Sequence, residues 1–346
     1  MQNNHEEVVG ALLARVVGEV RSRRLFEELE VAPALQRPRG EAVSRAELAQ
    51  AVNMLLFEDV VRRVPTAAAY VGDARRSGRR LVFDHGALRT VAADCGALPR
   101  GFRAFERLLE PLGFELRDVY PLERLGMTGR AYAHRDFPED IAQFFVSELH
   151  PEQFSGAFQQ VVQRVIGRSR DPLPAASAAR LEQLQRRGSL PFDEAAALLP
   201  DVVGCFDRHH DEPAWSDYQA LLAESKEMAW IATEGNAFNH ATDRVADVQA
   251  VADAQRLLGR PVKERVEVSA SGRVRQTAFR AAEVERLFVA DDGALFAARV
   301  PGSFHEFISR EEVRPGVLDL RFDSSNAAGI FKMTSTALVA PGKIGG

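Results

Sequence analysis

Apolar residues recur every three or four positions near the start of the chain. Val9, Leu12, Leu13, Val16, Val17 and Val20 predict a one-sided helix over residues 8–29 that ends before Pro33. A second helix begins at Ser44, where Glu47 three positions on completes a capping box and Leu48, Val52, Leu55 and Leu56 form the buried stripe. Alternation then takes over. Residues 80–83 read as a strand, 102–112 as a helix closed by Gly113, and 114–120, 130–134 and 141–149 as three more strands. Helical spacing returns between about residues 151 and 225, with Leu181, Leu184, Phe192, Ala195, Ala196 and Leu199 on amphipathic faces. A second run of strand, helix and three strands follows, at 228–233, 244–258, 265–269, 294–300 and 303–308.

The two runs share a motif. Phe83-Asp84-His85-Gly86-Ala87-Leu88-Arg89 and Phe238-Asn239-His240-Ala241-Thr242-Asp243-Arg244 each set an aromatic two residues before a histidine and an arginine four after it. Two copies of one structural unit show this at equivalent positions, and a pseudo-twofold seam would bring two neutral imidazoles to one divalent metal. Imidazole suits zinc, iron, copper and nickel alike. A chance match between two hydrogen-bonded core histidines is the competing account. A third ligand is sought on 303–308, where His305 and Glu306 point to opposite faces of a strand, so only one enters the site. If that is Glu306, the set is His85, His240 and Glu306, a two-histidine, one-carboxylate arrangement with open coordination positions. Otherwise Glu306 is a surface carboxylate paired with Arg310. His305 is expected to be solvated or to support a ligand, and the zinc-peptidase helix motif fails because Ser309 stands at its fifth position. His209 and His210, with Asp211 and Glu212 before Pro213, lie too close together in one polar loop to converge on an ion.

Composition narrows the partners. The chain has 346 residues, 46% of them hydrophobic, a formal net charge of -5 and a pI near 6.0, enough for one large core or two fused ones and without a basic footprint for nucleic acid. A small-molecule partner is expected. The two cysteines, Cys95 and Cys205, form no CxxC pair and fit buried residues in a reducing compartment. The N-terminus lacks a basic stub with an apolar core, and no run is long enough to span a bilayer, so a cytoplasmic protein without a membrane partner is expected. Oligomeric state is not legible.

The runs Val82 to Thr90, Met127 to Tyr132, Gln143 to His150, Phe238 to Arg244, Glu306 to Arg310 and Ala327 to Phe331 together resemble the family of 2-oxoadipate dioxygenase/decarboxylases, over most of residues 81–334. The resemblance implies an α+β chain with the vicinal oxygen chelate fold, in which two βαβββ modules form a curved mixed sheet around a metal site, as in glyoxalases and hydroxyphenylpyruvate dioxygenases. It implies a single domain over 1–346, with N-terminal helices at 1–65, a first module at 78–150, a helical insertion at 151–225, and a second module with C-terminal strands at 226–335. It further implies Fe(II) held by His85, His240 and Glu306, Arg89 as the catalytic anchor for a substrate carboxylate, and substrate contacts at Ser325 and Asn326, beside those through the metal ligands. The implied reaction converts 2-oxoadipate and O2 to 2-hydroxyglutarate and CO2, a step of lysine degradation. The chain departs from the family in its compact stretch between Glu306 and Ala327.

Other readings stay open at this level. One is a glyoxalase-like isomerase or lyase using zinc or nickel, with Glu148 as a second carboxylate, since Glu148 follows His85 at nearly the interval by which Glu306 follows His240. Another is a non-catalytic small-molecule-binding protein, because a fold does not dictate function. Arg89 has a competing role as a structural partner of Asp84, and Arg244 is expected to be structural.

Overall fold

The computed structural model describes residues 7–322. Two helices, α1 (Val8–Val17) and α2 (Glu19–Glu28), replace the single one expected over 8–29. Gly18 breaks the run at φ 87°, a backbone angle that side-chain-bearing residues rarely adopt. After the short β1 (Ala42–Ser44), α3 (Arg45–Arg63) starts on the predicted capping box: Ser44 Oγ accepts from Glu47 N and Glu47 Oε2 accepts from Ser44 N. Helix α4 (Pro65–Arg76) was not expected; Pro65 opens it at a position where no N–H is needed. Helix α3 is buried on nearly every side and lies against the central sheet, as a core helix should.

The first motif lies inside a strand rather than after one. β2 (Phe83–Val91) contains it, so 80–83 only leads in; α5 (Arg103–Leu109), β3 (Phe114–Leu122), β4 (Met127–His134) and β5 (Gln143–Leu149) follow as expected. The insertion is helical as read, with α6 (Gly156–Ile166), α7 (Ala175–Arg187), α8 (Phe192–Gly204) and α9 (Trp215–Glu224), and a short β6 (Ser189–Pro191) that pairs with β1.

The second half departs further from expectation. Residues 228–233 are not a strand but part of α10 (Lys226–Glu234), capped by Ser225 Oγ, which accepts from Met228 N. A short, wholly apolar run suits a buried helix as well as a buried strand, and the cap decides between them. β7 (Phe238–Arg244) carries the second motif, and Asp247 caps α11 (Val248–Leu257). The strand expected at 265–269 shrinks to β8 (Glu267–Val268), and β9 (Val274–Ala278) was missed. Residues 294–300 are a strand outside the main sheet: β11 (Leu295–Pro301) pairs only with β10 (Glu283–Val289), as a separate hairpin. β12 (Phe304–Arg310) closes the set, before the small pair β13 (Glu312–Arg314) and β14 (Val317–Leu318).

Eight strands form one curved sheet in the order β3-β4-β5-β2-β7-β12-β9-β8. β2 and β7 pair antiparallel at its centre, and each has a parallel neighbour outside it, β5 beside β2 and β12 beside β7. The halves β3-β4-β5-β2 and β7-β12-β9-β8 are thus related about the central seam, which is the vicinal oxygen chelate arrangement. Strand alternation gives the sheet two different faces. One packs on the helices through Phe114, Phe144, Phe238 and Phe307, in a core that includes Phe57 and Phe105. The other is a cup lined by smaller and aromatic residues, Ala87, Ala131, Tyr120 and Phe145, with Phe322 across it. Cys95 and Cys205 are buried and unpaired as disulfides. Among the described residues no helix is long and apolar enough to cross a membrane.

Candidate metal centre

The seam sets the site. In the antiparallel pairing His85 stands opposite Thr242 and Ala87 opposite His240, while β12 runs parallel to β7 with Glu306 opposite Thr242. His85, Thr242 and Glu306 therefore form a row across three strands, with His240 beside it. Nε2 of His85 lies 3.4 Å from Nε2 of His240 and 3.4 Å from Oε2 of Glu306, and His240 Nε2 lies 3.3 Å from the same oxygen. All three residues are buried, and they are the one group of potential metal ligands brought together among the described residues. An ion bonded at about 2.0–2.2 Å to ligands roughly 90–110° apart spans them by about 2.8–3.6 Å, so this triangle and its donor set fit a divalent metal.

Supporting contacts orient the donors. The β2–β7 register slips by one residue between Phe83 and His85, which leaves Asp84 as the extra residue and turns its carboxylate toward its neighbour. His85 Nδ1 donates to Asp84 Oδ1 at 2.8 Å, so Nε2 keeps its lone pair for the cup. Arg310 holds the other side of Asp84 through Nε and Nη2 at 2.9 and 2.8 Å, and its Nη1 donates to the backbone oxygens of Asp319 and Arg321. Thr242 Oγ1 lies 3.1 Å from His85 Nε2 and donates to Glu306 Oε2 at 3.0 Å. The His240 ring stacks on Phe304, with centroids 4.8 Å apart.

Charges follow from burial and these partners. Burial alone would raise the Asp84 carboxyl, but Arg310 and His85 hold it well below the usual carboxylate range. Burial would likewise lower His85, but Asp84 and Glu306 outweigh it and its pKa is raised. His240 is pushed down to about 3 by burial, against the opposing pull of Glu306. Glu306 is lowered, since the two histidines offset its burial. Both imidazoles must be neutral to hold an ion, so binding here would be favoured as the pH rises.

Each residue singled out in the sequence now has a place. Arg89 is fully buried on the cup face of β2; its charge acts on His240, and Asp84 is held by Arg310 rather than by Arg89. Arg244 donates to Glu139 O, a structural contact. Arg310 does not pair with Glu306. His305 is not solvated: it is wholly buried on the helix face among Phe57, Tyr70, Phe279 and Phe307, where burial lowers its pKa to about 3. Glu148 is not the counterpart of Glu306. Gln143 pairs with His85 as Phe304 pairs with His240, so Phe145 occupies the position of Glu306, and Glu148 lies on the opposite face, bonded to Arg130 at 2.8 Å and to Phe102 N. His209 and His210 contact the backbone oxygens of Cys205 and Ala232 and do not converge. Ser325 and Asn326 lie outside the described residues. Sequence reasoning missed the roles of Asp84 and Thr242; strand alternation two residues past His240 pointed to Thr242.

The sequence profile of the 2-oxoadipate dioxygenase/decarboxylase family matches residues 45–316. No curated protein sequence gives a significant match. Among solved structures, a protein assigned to the glyoxalase superfamily from Ralstonia eutropha JMP134 is 52% identical, with 93% of this chain and 99% of that one aligned at a TM-score of 0.89. Hydroxyglutarate synthase from Oryza sativa, in complex with 2-oxoadipate, is 20% identical, with 86% and 97% of the two chains aligned at a TM-score of 0.63. The Pseudomonas putida hydroxyglutarate synthase, also with 2-oxoadipate, is 18% identical, with 86% and 74% aligned at 0.62. These last two share the fold. With the profile covering most of its length, the chain belongs to the 2-oxoadipate dioxygenase/decarboxylase family.

Proposed function

We propose that the protein is an Fe(II)-dependent dioxygenase/decarboxylase of a dicarboxylic 2-oxo acid, converting 2-oxoadipate and O2 to 2-hydroxyglutarate and CO2, a step that suits lysine degradation. The observation that carries this reading is the buried triangle of His85, His240 and Glu306 in a member of this family. The 2-oxoadipate held by the two hydroxyglutarate synthases of the same fold supports the choice of substrate.

A bound ferrous ion supplies the redox chemistry with dioxygen. The chain supplies the rest. His85, His240 and Glu306 would hold that ion through two imidazoles and one carboxylate, a donor set that suits a ferrous ion open to further ligands. Asp84 holds the Nδ1 proton of His85, so in the neutral ring the lone pair stands on Nε2, on the side of His240 and Glu306. Arg89, four residues along β2 from His85 and about 13 Å away at usual strand rise, binds the far carboxylate with its planar fork. Its guanidinium keeps its charge, because burial lowers the pKa only to about 10 and the Glu227 charge opposes the shift. Phe145, Tyr120 and Phe322 cover the methylene part of the acid and exclude water; the Phe322 ring stands edge-on to His85 at 4.8 Å. The isomerase alternative loses its second carboxylate, since Glu148 faces away from the cup.

The test is anaerobic reconstitution with Fe(II), followed by O2 uptake and CO2 release over a panel of 2-oxo acids. One O2 consumed and one CO2 released per 2-oxoadipate is expected, with Arg89→Ala retaining iron while kcat/KM for dicarboxylic acids falls by a factor equivalent to about 2–5 kcal/mol. Iron-loaded protein that consumes no O2 with any 2-oxo diacid overturns the proposal.

A further inference from the structure

Helix α10 lies outside the two strand units, yet it packs against Arg89. The guanidinium carbon of Arg89 stands 4.9 Å from the ring centroid of Trp230. The charge of Glu227, one turn earlier on α10, acts on the same guanidinium. Just past the helix, Asn236 Nδ2 donates to the backbone oxygen of Arg89 at 2.8 Å. Trp230 is itself fixed: it is buried, and its Nε1 donates to Gly302 O at 3.0 Å, in the turn that leads into β12 and Glu306. The platform under Arg89 and the strand that carries a metal ligand are thus tied to one mount.

An arginine side chain has four rotatable bonds and reaches many points unless something fixes its plane. An aromatic face does so by attracting the flat cation, and more strongly where water is excluded, while the guanidinium edge keeps its N–H geometry for a carboxylate. We infer that Trp230 is a positioning residue: its indole holds the Arg89 guanidinium at one distance from the His85, His240 and Glu306 triad, and so sets the length of diacid that reaches both. This rests on the reading of Arg89 as the carboxylate anchor.

The consequence is a length filter. A 2-oxo diacid one carbon too short or too long meets the metal or the guanidinium, but not both. A 2-oxo monocarboxylic acid makes no use of Arg89 and is indifferent to Trp230.

The experiment compares Trp230→Leu, which removes the ring, with Trp230→Phe, which keeps an aromatic face but loses the bond to Gly302. KM and kcat are measured at equal iron content with five-, six- and seven-carbon 2-oxo diacids and with a six-carbon 2-oxo monoacid. Trp230→Leu is expected to raise KM for the preferred diacid on the order of tenfold, to flatten the preference among the three lengths and to leave the monoacid KM unchanged, with Trp230→Phe restoring most of the loss. A second readout needs neither metal nor turnover. In Trp215→Phe, Trp230 is the remaining tryptophan, and adipate or glutarate binding is expected to shift its emission, with the shift abolished by Arg89→Ala. An unchanged length profile in Trp230→Leu, an equal loss for the monoacid, or no emission change on diacid binding each overturns the inference, and the emission titration decides it even where Trp230→Leu does not fold. If Arg89→Ala raises the diacid KM while Trp230→Leu does not, only the role of Trp230 falls; if Arg89→Ala leaves it unchanged, the anchor reading falls as well.

Discussion

Asp84 accepts a hydrogen bond at 2.8 Å from Nδ1 of His85, its own neighbour in the chain. On a regular strand the two side chains would face opposite ways; the one-residue slip against β7 lets them meet. The contact fixes the imidazole tautomer and raises its basicity toward a metal. Asp84→Asn is therefore expected to weaken divalent-metal affinity by about 10–100-fold. Chelator competition on folded protein checks this, with circular dichroism on the same samples; unchanged affinity would show that Asp84 serves only to neutralise Arg310.

The ligand set itself predicts a sharper pattern. His85→Ala, His240→Ala and Glu306→Ala are each expected to lose most bound iron without unfolding, while Glu148→Gln retains it, because Glu148 is tied to Arg130 on the other face of the sheet. Iron content by elemental analysis decides the matter, and a loss in Glu148→Gln would reopen the isomerase reading.

The histidines were legible because a repeated motif marks equivalent positions whatever the fold does between them. Strand alternation likewise put His305 and Glu306 on opposite faces, as the sheet has them, while the choice of Glu306 came from the family resemblance; the capping box at Ser44 and Glu47 is a local signal that tertiary packing leaves intact. The interval that made Glu148 a candidate misleads because sequence interval is not register: the insertion of the β10–β11 hairpin and different loop lengths put Phe145, not Glu148, at the position in the first half that Glu306 holds in the second. Asp84 was opaque for a related reason, since its role depends on a slip between two strands far apart in the chain. The run at 228–233 was misassigned because a buried helix and a buried strand share an apolar composition, and with it the platform under Arg89 went unseen.

Thr242 touches two of the candidate ligands at once, with its hydroxyl 3.1 Å from His85 Nε2 and 3.0 Å from Glu306 Oε2. Thr242→Val keeps the shape of the strand but removes that link. The variant is expected to bind metal about tenfold more weakly, at the lower edge of what a supporting contact contributes, with its fold intact. Metal retention through gel filtration against a weak chelator measures it, and wild-type retention would mean the hydroxyl is a bystander.

Acid should destabilise the metal-free chain. Burial pushes His134 and His210 down to about 4, with backbone oxygens opposing. A histidine with a lowered folded pKa binds fewer protons folded than unfolded, so its contribution is intact above the unfolded value near 6.5 and is lost as pH falls toward 4. Each removes about 1.4 kcal/mol per pH unit in that window, or about 2 kcal/mol by pH 5. Asp243 works the other way, since burial, against Tyr70 and Arg79, raises it to about 6. The difference between wild type and His210→Gln isolates one histidine. Chemical denaturation with chelator at pH 7, 6 and 5 is expected to give a slope shallower by one proton in the variant; parallel slopes would show that His210 is not buried neutral.

The seam between β2 and β7 depends on a residue without a side chain. A Cβ at Gly86 would fall 2.0 Å from Cε2 of Phe238, and that ring is hemmed in by Phe144 and Phe206 in the main core. The main chain of Phe238 is held as well, because its backbone oxygen accepts from Arg63 and Ser303. Gly86→Ala is expected to lower stability by about 1–3 kcal/mol, the usual range for overpacking, and to weaken metal binding, since the strain falls between His85 and Ala87. Phe238→Leu opens space but leaves a void when made alone. Made together, the two changes should cost less than their sum, because the methyl group enters the space the ring has left. Denaturant unfolding of the four proteins gives the coupling directly, and strict additivity would show that the seam accommodates the methyl group by moving elsewhere.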